Sequence, residues 1–262
     1  MTFITIGNRQ IPVYSLIGIT GIFLGIGVIY LICRKFKQDF QDTVTFFVLS
    51  FAGGLVCSKI LYWIVSWRDI AADWDKITNN FSFFIEKYIY GGLVFYGALI
   101  GAVITAFLYC KFRKIRFNDI ALPVITVIPL VHGIARIGCH VVGCCYGAPT
   151  SLPIGIVYHN SIAAPLNIPL MPVQLMESVC NLIIFTVLLI ALKRKNTIFS
   201  LGLYTCLYAV VRFILEFFRG DIERGFVGVF STSQFISIII FIFGIFCFCI
   251  YHKNTKKRFI IL

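Results

Sequence analysis

The chain has 262 residues, of which 59% are hydrophobic and only 13% are charged, and its formal net charge is +12. A soluble globular protein of this length cannot bury that much apolar surface, so the composition excludes an ordinary soluble domain. It favours an all-α integral membrane protein, because a run of about 20 apolar residues spans a bilayer and a β-barrel would need shorter, alternating segments. The positive charge implies no nucleic acid partner, because membrane proteins gather Lys and Arg in their cytoplasmic loops.

Seven apolar segments are predicted to cross the lipid bilayer. The first follows a short N-terminal tail that lacks the basic region and cleavage site of a signal peptide, so we expect it to stay uncleaved. The fourth is interrupted by Pro123 and Pro129, which membrane helices tolerate. The seven spans are placed at about 11–33, 43–66, 91–110, 118–138, 173–192, 198–218 and 229–251.

The basic residues outside the spans predict the orientation. Fourteen Lys and Arg residues lie in the loops after spans 1, 3 and 5 and in the C-terminal tail, against six on the other side. The positive-inside rule therefore puts the N-terminus outside and the C-terminus in the cytoplasm. We expect one polytopic membrane domain over 1–262, with a short outer arm at about 67–90 and a small outer head loop at about 139–172.

A few ionisable residues lie in or beside the spans, where they are costly and usually functional. Arg212, Glu216 and Arg219 are spaced i, i+4 and i+7, which predicts one helical face. Arg136 in span 4 and Lys59 in span 2 are predicted at a similar depth, towards the outside. Four cations facing one carboxylate favour an anion, and a phospholipid headgroup phosphate is the anion that arginine grips best. The alternative is a buried Arg–Glu network that only joins helices.

The stretch from His132 to Gly147, HGIARIGCHVVGCCYG, holds three cysteines near the outer end of span 4. Four interpretations of Cys139, Cys144 and Cys145 stay open: a zinc site, a disulfide, a catalytic thiol, or small residues that fill gaps beside a glycine-rich backbone. The spacing is not that of a zinc finger, and neither a metal nor a soluble cofactor is predicted.

Four segments, in order, resemble the prolipoprotein diacylglyceryl transferases, which are bacterial inner-membrane enzymes with seven transmembrane helices. They are GGLVFYGALIG from Gly91, ARIGCHVVGCCYG from Ala135, MPVQLMES from Met171 and RFILEFFRGD from Arg212. The resemblance covers most of the chain. It implies a multi-pass protein of the cytoplasmic membrane with its active site towards the outer leaflet.

The resemblance also implies a reaction. The family transfers a diacylglyceryl group from phosphatidylglycerol to the lipobox cysteine thiol of a preprolipoprotein and releases glycerol 1-phosphate. It implies headgroup contacts for a set of residues: Arg136, Arg212, Arg219, Tyr14, Gly147 and Gln174. The position of the cations in the spans adds Lys59 to this set. Glu216 would orient Arg212, and Glu177 matches a polar position of the family.

The sequence departs from the family at two places. Tyr96 occupies a position where the family usually has a histidine proposed as a base, and His140 or His132 could take that role. The family's signature has Asn-Phe and then Asn-x-Glu, and this sequence holds Cys139-His140 and Val142-Gly143-Cys144 at those places. Three rival hypotheses follow: a divergent member with another thiol acceptor or lipid donor, a non-enzymatic phospholipid-binding or transport protein, and a membrane thiol-redox protein.

Overall fold

The computed structural model of the chain describes residues 3–6, 9–221 and 225–260. Most of this part is helical, and three short antiparallel strand pairs complete it. The α-helices are α1 (Val13–Phe36), α2 (Phe40–Val65), α3 (Trp67–Ala72), α4 (Trp74–Asn79), α5 (Phe81–Phe84), α6 (Phe95–Arg113), α7 (Phe117–Val142), α8 (Val173–Ala191), α9 (Thr197–Leu215) and α10 (Thr232–Ile260). The strands are β1 (Phe3–Ile6), β2 (Arg9–Pro12), β3 (Ile156–Val157), β4 (Pro169–Leu170), β5 (Phe226–Val227) and β6 (Phe230–Ser231).

Seven helices of the described chain are long and apolar enough to cross a membrane, which confirms the predicted number of spans. Many of their large apolar side chains are exposed, as lipid-facing residues must be. The fourth span, α7, is continuous through Pro123 and Pro129 and extends to Val142. Cys139 and His140 therefore lie on its last turn rather than in the loop that follows.

The chain divides into two compact units. One comprises residues 1–32 and 121–262, and the other comprises residues 33–120. In the first unit, α1 approaches α7 closely, because a Cβ built on Gly25 would lie 2.8 Å from the Val131 side chain. The same unit holds α8, α9 and α10 and all three strand pairs. The predicted ionisable and cysteine residues fall in this unit, except for Lys59 and Tyr96.

The second unit is built on the contact between α2 and α6. A Cβ on Gly101 would lie 2.4 Å from the carbonyl oxygen of Gly53, and one on Gly97 would lie 2.5 Å from that of Cys57. Small residues at such a contact let two membrane helices approach backbone to backbone. A buried tyrosine also joins the pair, since Tyr109 donates a hydrogen bond of 2.8 Å to Asp42.

The segment predicted as an outer arm folds into α3, α4, α5 and a π-helical turn (Ile85–Tyr90). Its centre is Asp73, whose carboxylate accepts hydrogen bonds from Lys76 at 2.9 Å, Lys87 at 2.5 Å and Tyr88 at 2.9 Å. Only 7% of Asp73 is exposed. Because Lys87 and then Lys76 and Tyr88 donate to it, the pKa of Asp73 is held well below its usual range.

Candidate functional site

Arg136 on α7 and Glu177 on α8 form a bidentate ion pair. The Nε atom of Arg136 lies 3.0 Å from Oε2 of Glu177, and its Nη2 atom donates to Oε1 at 3.1 Å. The two side chains are only 16% and 2% exposed. The start of α8 places Glu177 there because its buried side is polar, with Gln174, Glu177, Ser178 and Asn181 all inside. A buried pair of this geometry fixes the plane of the guanidinium.

Two more polar side chains surround the Glu177 carboxylate. Nε2 of His132 lies 3.5 Å from Oε1, and the Tyr208 hydroxyl donates to the same oxygen at 3.4 Å. The rings of His132 and Tyr208 are in contact, with centroids 5.4 Å apart and planes tilted by 54°. Helices α7, α8 and α9 therefore all contribute to one polar centre in an otherwise apolar interior.

Arg212 and Glu216 are paired as their i, i+4 spacing predicts. Nη1 of Arg212 lies 2.7 Å from Oε2 of Glu216, with side chains 12% and 3% exposed. Nη2 of Arg212 also donates to the hydroxyl of Ser233 on α10 at 2.8 Å. The guanidinium is thus held from two helices, and all three of Arg136, Arg212 and Arg219 act electrostatically on the Glu177 carboxylate.

The prediction that Arg219 continues the helical face of Arg212 and Glu216 is wrong. Helix α9 ends at Leu215, a 3-10 turn covers Glu216–Phe218, and Arg219 has an extended backbone. Its Nε atom donates to the carboxylate of Asp221 at 2.9 Å. The extended backbone pairs instead with the loop after α7, through an antiparallel bridge between Gly147 and Arg219.

The prediction that cations outnumber carboxylates is also wrong for these arginines. In the part of the chain that the structure describes, Arg136, Arg212 and Arg219 each have a carboxylate partner: Glu177, Glu216 and Asp221. These six residues are called the arginine cluster below. Its guanidinium groups are oriented by their carboxylates, and each guanidinium has five N–H donors, more than one carboxylate can accept.

Cys139, Cys144 and Cys145 lie together, with their sulfur atoms all within 4.8 Å of one another. They are called the cysteine cluster below, and none of the three is bridged. Nη1 of Arg136 lies 4.0 Å from Sγ of Cys139. The pKa of the Cys145 thiol is lowered, because Cys139 and Cys144 donate to its sulfur, and Arg136 and Arg219 act in the same direction.

Three further predicted residues border the cysteine cluster. The Gln174 side chain donates to the carbonyl oxygen of Cys144 at 2.8 Å, and Nδ1 of His140 is 2.9 Å from the Tyr158 hydroxyl. Tyr14 packs on α7, since a Cβ on Gly138 would lie 3.1 Å from its ring. The first unit therefore brings most of the predicted site residues together around Arg136.

Lys59 and Tyr96 lie in the other unit. Nζ of Lys59 donates to the carbonyl oxygens of Gly91 at 2.5 Å and of Gly92 at 2.8 Å. These hydrogen bonds hold the ammonium group beside the backbone that precedes α6. Tyr96 is half-buried on the first turn of α6, with its ring centroid 5.9 Å from that of Phe95. Their roles in a headgroup site or in proton transfer stay predictions.

Comparisons with known proteins agree with one another. The family described as prolipoprotein diacylglyceryl transferase matches residues 1–250 of the chain. A phosphatidylglycerol–prolipoprotein diacylglyceryl transferase of Clostridium tetani is 39% identical over 235 residues, which cover 87% of this chain and 89% of the relative. A second enzyme of that name, from Clostridium perfringens, is 34% identical and covers 91% and 92% of the two chains. One from Clostridioides difficile is 29% identical, with coverage of 97% and 96%.

Proposed function

Because this chain belongs to the prolipoprotein diacylglyceryl transferase family, we propose that its arginine cluster holds the phosphate of phosphatidylglycerol. The chain is a multi-pass membrane transferase that moves a diacylglyceryl group from phosphatidylglycerol to prolipoprotein. The finer proposal concerns which residues carry the reaction and on which side of the membrane it occurs.

The observation that carries the proposal is the Arg136–Glu177 pair. Its bidentate contact at 3.0 Å and 3.1 Å orients the guanidinium with almost no exposure to water. Arg212 is oriented in the same way by Glu216 and Ser233. Donors that are already in place stabilise a developing negative charge without reorganisation, and they act more strongly where water is excluded.

The reaction that we propose needs this arrangement. The lipobox cysteine sulfur attacks the carbon of the diacylglyceryl group that carries the phosphate. A C–S bond forms, and the C–O bond between that carbon and the phosphate breaks. The leaving group is glycerol 1-phosphate, whose phosphate gains charge as the bond breaks. Arg136 and Arg212 would stabilise that charge, and Glu177 and Glu216 would act as positioning residues for them.

The remaining predicted residues would border the lipid. Arg219 would close the outer rim, held there by its bridge to Gly147. Gln174 would support the loop after α7 through the Cys144 carbonyl, and Tyr14 would line the lipid entrance from α1. For proton transfer we propose His140, which is hydrogen-bonded to Tyr158, and Tyr96 as the alternative.

We further propose that the active site faces the outer leaflet of the bacterial cytoplasmic membrane. The support is the charge distribution of the sequence, in which the basic loops alternate with acidic or neutral ones from span to span. The N-terminus would then be outside and the C-terminus in the cytoplasm. The acceptor lipobox would reach the site from outside, after translocation of the preprolipoprotein.

An assay with purified protein, phosphatidylglycerol and a lipobox peptide tests the proposal. We expect thioether-linked lipid on the peptide and an equal amount of glycerol 1-phosphate, and neither with the Arg212→Ala variant. Phospholipid binding without either product would contradict the proposed acceptor. Transfer that survives in Arg212→Ala would contradict the proposed headgroup site.

A further inference from the structure

The cysteine cluster has the geometry of a set of metal ligands. A zinc ion held at about 2.3 Å by sulfur in tetrahedral array keeps its sulfur ligands about 3.8 Å apart. The three sulfur atoms of Cys139, Cys144 and Cys145 lie within 4.8 Å of one another, so small side-chain rotations bring them onto one ion. No other group of three or more potential ligands of this kind occurs among the described residues.

The backbone that ends α7 brings the three cysteines together. After α7 ends at Val142, Gly143 has φ +74° and Cys145 has φ +53°. Glycine adopts the left-handed region freely and commonly ends a helix in it, whereas a residue with a side chain, such as Cys145, adopts it less often. The bend returns the chain on itself, so that the amide of Cys144 donates to the carbonyl oxygen of Cys139 at 3.1 Å.

A contact from another helix holds this bend. The Gln174 side chain, only 1% exposed, donates to the carbonyl oxygen of Cys144 at 2.8 Å. The following residues are paired as well, since the amide of Gly220 donates to the carbonyl oxygen of Tyr146 at 3.1 Å. The adjacent cysteines are therefore supported on both sides, as the ligands of a preformed site should be.

We propose that Cys139, Cys144 and Cys145 form a three-thiolate site for a thiophilic metal ion such as Zn²⁺, with a fourth position that binds the acceptor thiol. Three protein ligands and one open position are the pattern of a catalytic metal site, whereas structural zinc sites are closed by a fourth protein ligand. Soft sulfur ligands select zinc or copper(I) over magnesium or calcium. The half-buried Cys144 and Cys145 leave access to such a position.

The location of the site relative to the arginine cluster gives the fourth position its role. Arg136 lies 4.0 Å from the sulfur of Cys139, so its guanidinium borders both the cysteine cluster and the Glu177 carboxylate. Three thiolates around one divalent ion leave a net negative charge, which this guanidinium balances. An acceptor thiol bound to the ion would be held beside the phosphate that the arginine cluster is proposed to bind. This inference rests on the proposed function for the identity of the acceptor.

The acceptor thiol would replace a water molecule on the ion and pass its proton to His140, the proton acceptor proposed above, because a coordinated thiol is deprotonated. The thiolate would then attack the carbon of the diacylglyceryl group that carries the phosphate. The C–S bond forms as the C–O bond breaks, and its electron pair leaves with glycerol 1-phosphate. The thioether product is a weaker ligand than a thiolate and leaves the ion. No oxidant or reductant is needed.

Cobalt(II) is the probe for the first experiment, since thiolate-to-cobalt charge transfer gives an absorption band. Reduced, chelator-treated full-length protein in detergent is titrated with Co²⁺ and then with Zn²⁺. We expect one Co²⁺ per chain, a thiolate band and its loss on adding Zn²⁺. Cys144→Ser and Cys145→Ser should weaken the band, while Cys110→Ser, equally half-buried but on α6, should not.

Adding the lipobox peptide tests the fourth position. We expect a cysteine peptide to raise the band intensity by about one third, as a fourth thiolate joins three, and a serine peptide to leave it unchanged. The absence of a band, equal bands in both cysteine variants and the wild type, or no response to the cysteine peptide would overturn the proposal. Thermal melting of each variant shows whether it has folded.

Lipid transfer by metal-free and Zn²⁺-loaded protein separates this proposal from the proposed function. We expect metal-free protein to transfer at least about tenfold more slowly and Zn²⁺ to restore the rate. Equal rates in both forms would overturn the metal site and leave the transferase assignment intact. If no form transfers lipid but the cobalt band still responds to the cysteine peptide, the proposed function fails and the metal site stands.

Discussion

Arg136 and Glu177 are 41 positions apart in sequence, yet their side chains meet in a bidentate contact between two helices. Both side chains are largely buried, so the pair is a constrained charged contact between α7 and α8. Its consequences for activity and for stability can be measured separately.

The first prediction concerns the shape of the Arg136 side chain. Arg136→Lys keeps the charge but replaces the planar fork by a single ammonium, which cannot bind Glu177 and a phosphate in the same way. We expect kcat/KM to fall about 100-fold, which corresponds to about 2.7 kcal/mol. The control is Arg116→Lys, since Arg116 forms an exposed pair with Asp119. A rate within threefold of wild type would contradict the headgroup role.

The second prediction concerns the charge left behind when Glu177 is neutralised. Glu177→Gln leaves the buried Arg136 without its counter-charge, which we expect to cost about 3 kcal/mol of stability. Thermal unfolding in detergent measures this as a lower midpoint. The double variant Arg136→Met/Glu177→Gln should recover part of the stability and none of the activity. If the double variant were less stable than Glu177→Gln, the unpaired charge of Arg136 would not be the cause of the lost stability.

The sequence predicts a good part of this architecture. Apolar runs are long enough to identify all seven spans, and the spacing of Arg212 and Glu216 predicts their contact, because residues i and i+4 of a helix are neighbours. Arg219 shows the limit of the same rule. The helix ends before it, and nothing in the hydrophobic pattern of RFILEFFRGD marks that end.

Contacts between segments that are far apart along the chain could not be predicted from the sequence. Glu177 is indicated only as a polar position of the resembled family, and no local rule pairs it with Arg136. The convergence of Cys139 with Cys144 and Cys145 depends on the left-handed backbone at Gly143 and Cys145. Cysteine has no preference for that conformation, so only the three-dimensional structure distinguishes a cluster from three separate thiols.

The third prediction concerns the hydroxyl that supports Arg212. Ser233→Ala removes the hydrogen bond that Nη2 of Arg212 donates, and a bond to a charged group contributes about 1.5–3 kcal/mol. We therefore expect kcat/KM to fall at least about tenfold. Ser237→Ala is the matched control, because Ser237 donates to the Ser233 carbonyl oxygen within the same helix. Equal losses in the two variants would indicate a helix defect rather than a role through Arg212.

The fourth prediction concerns the close packing of Gly147. A Cβ there would lie 2.2 Å from the carbonyl oxygen of Met171, so Gly147→Ala must displace the backbone of residue 147, which pairs with Arg219. We expect a lower thermal midpoint and a rate of lipid transfer at least about tenfold lower, because Arg219 moves with the displaced backbone. Gly27→Ala on α1, where no atom lies within 4 Å of the added Cβ, should change neither. An active and stable Gly147→Ala protein would show that the rim tolerates displacement.

The fifth prediction concerns the pH dependence of the outer arm. Asp73 has a folded-state pKa below its unfolded value of about 3.9, because Lys87, Lys76 and Tyr88 donate to its carboxylate. A depressed carboxyl pKa contributes stability that is fully present above the unfolded pKa and is lost as the pH falls below it. Asp73→Asn should therefore open the arm at pH 7, with a difference from wild type that diminishes below about pH 4.

Hydrogen exchange of residues 67–90, followed by mass spectrometry at pH 7 and pH 3, measures this opening. Wild-type protein should exchange more slowly than Asp73→Asn at pH 7, and the two should converge at pH 3 after correction for the intrinsic exchange rate. Asp75→Asn, an exposed change on α4, which begins directly after Asp73, controls for the loss of a negative charge alone. A difference that is equally large at both pH values would show that the Asp73 side chain supports the arm through its shape and not through its ionised carboxylate.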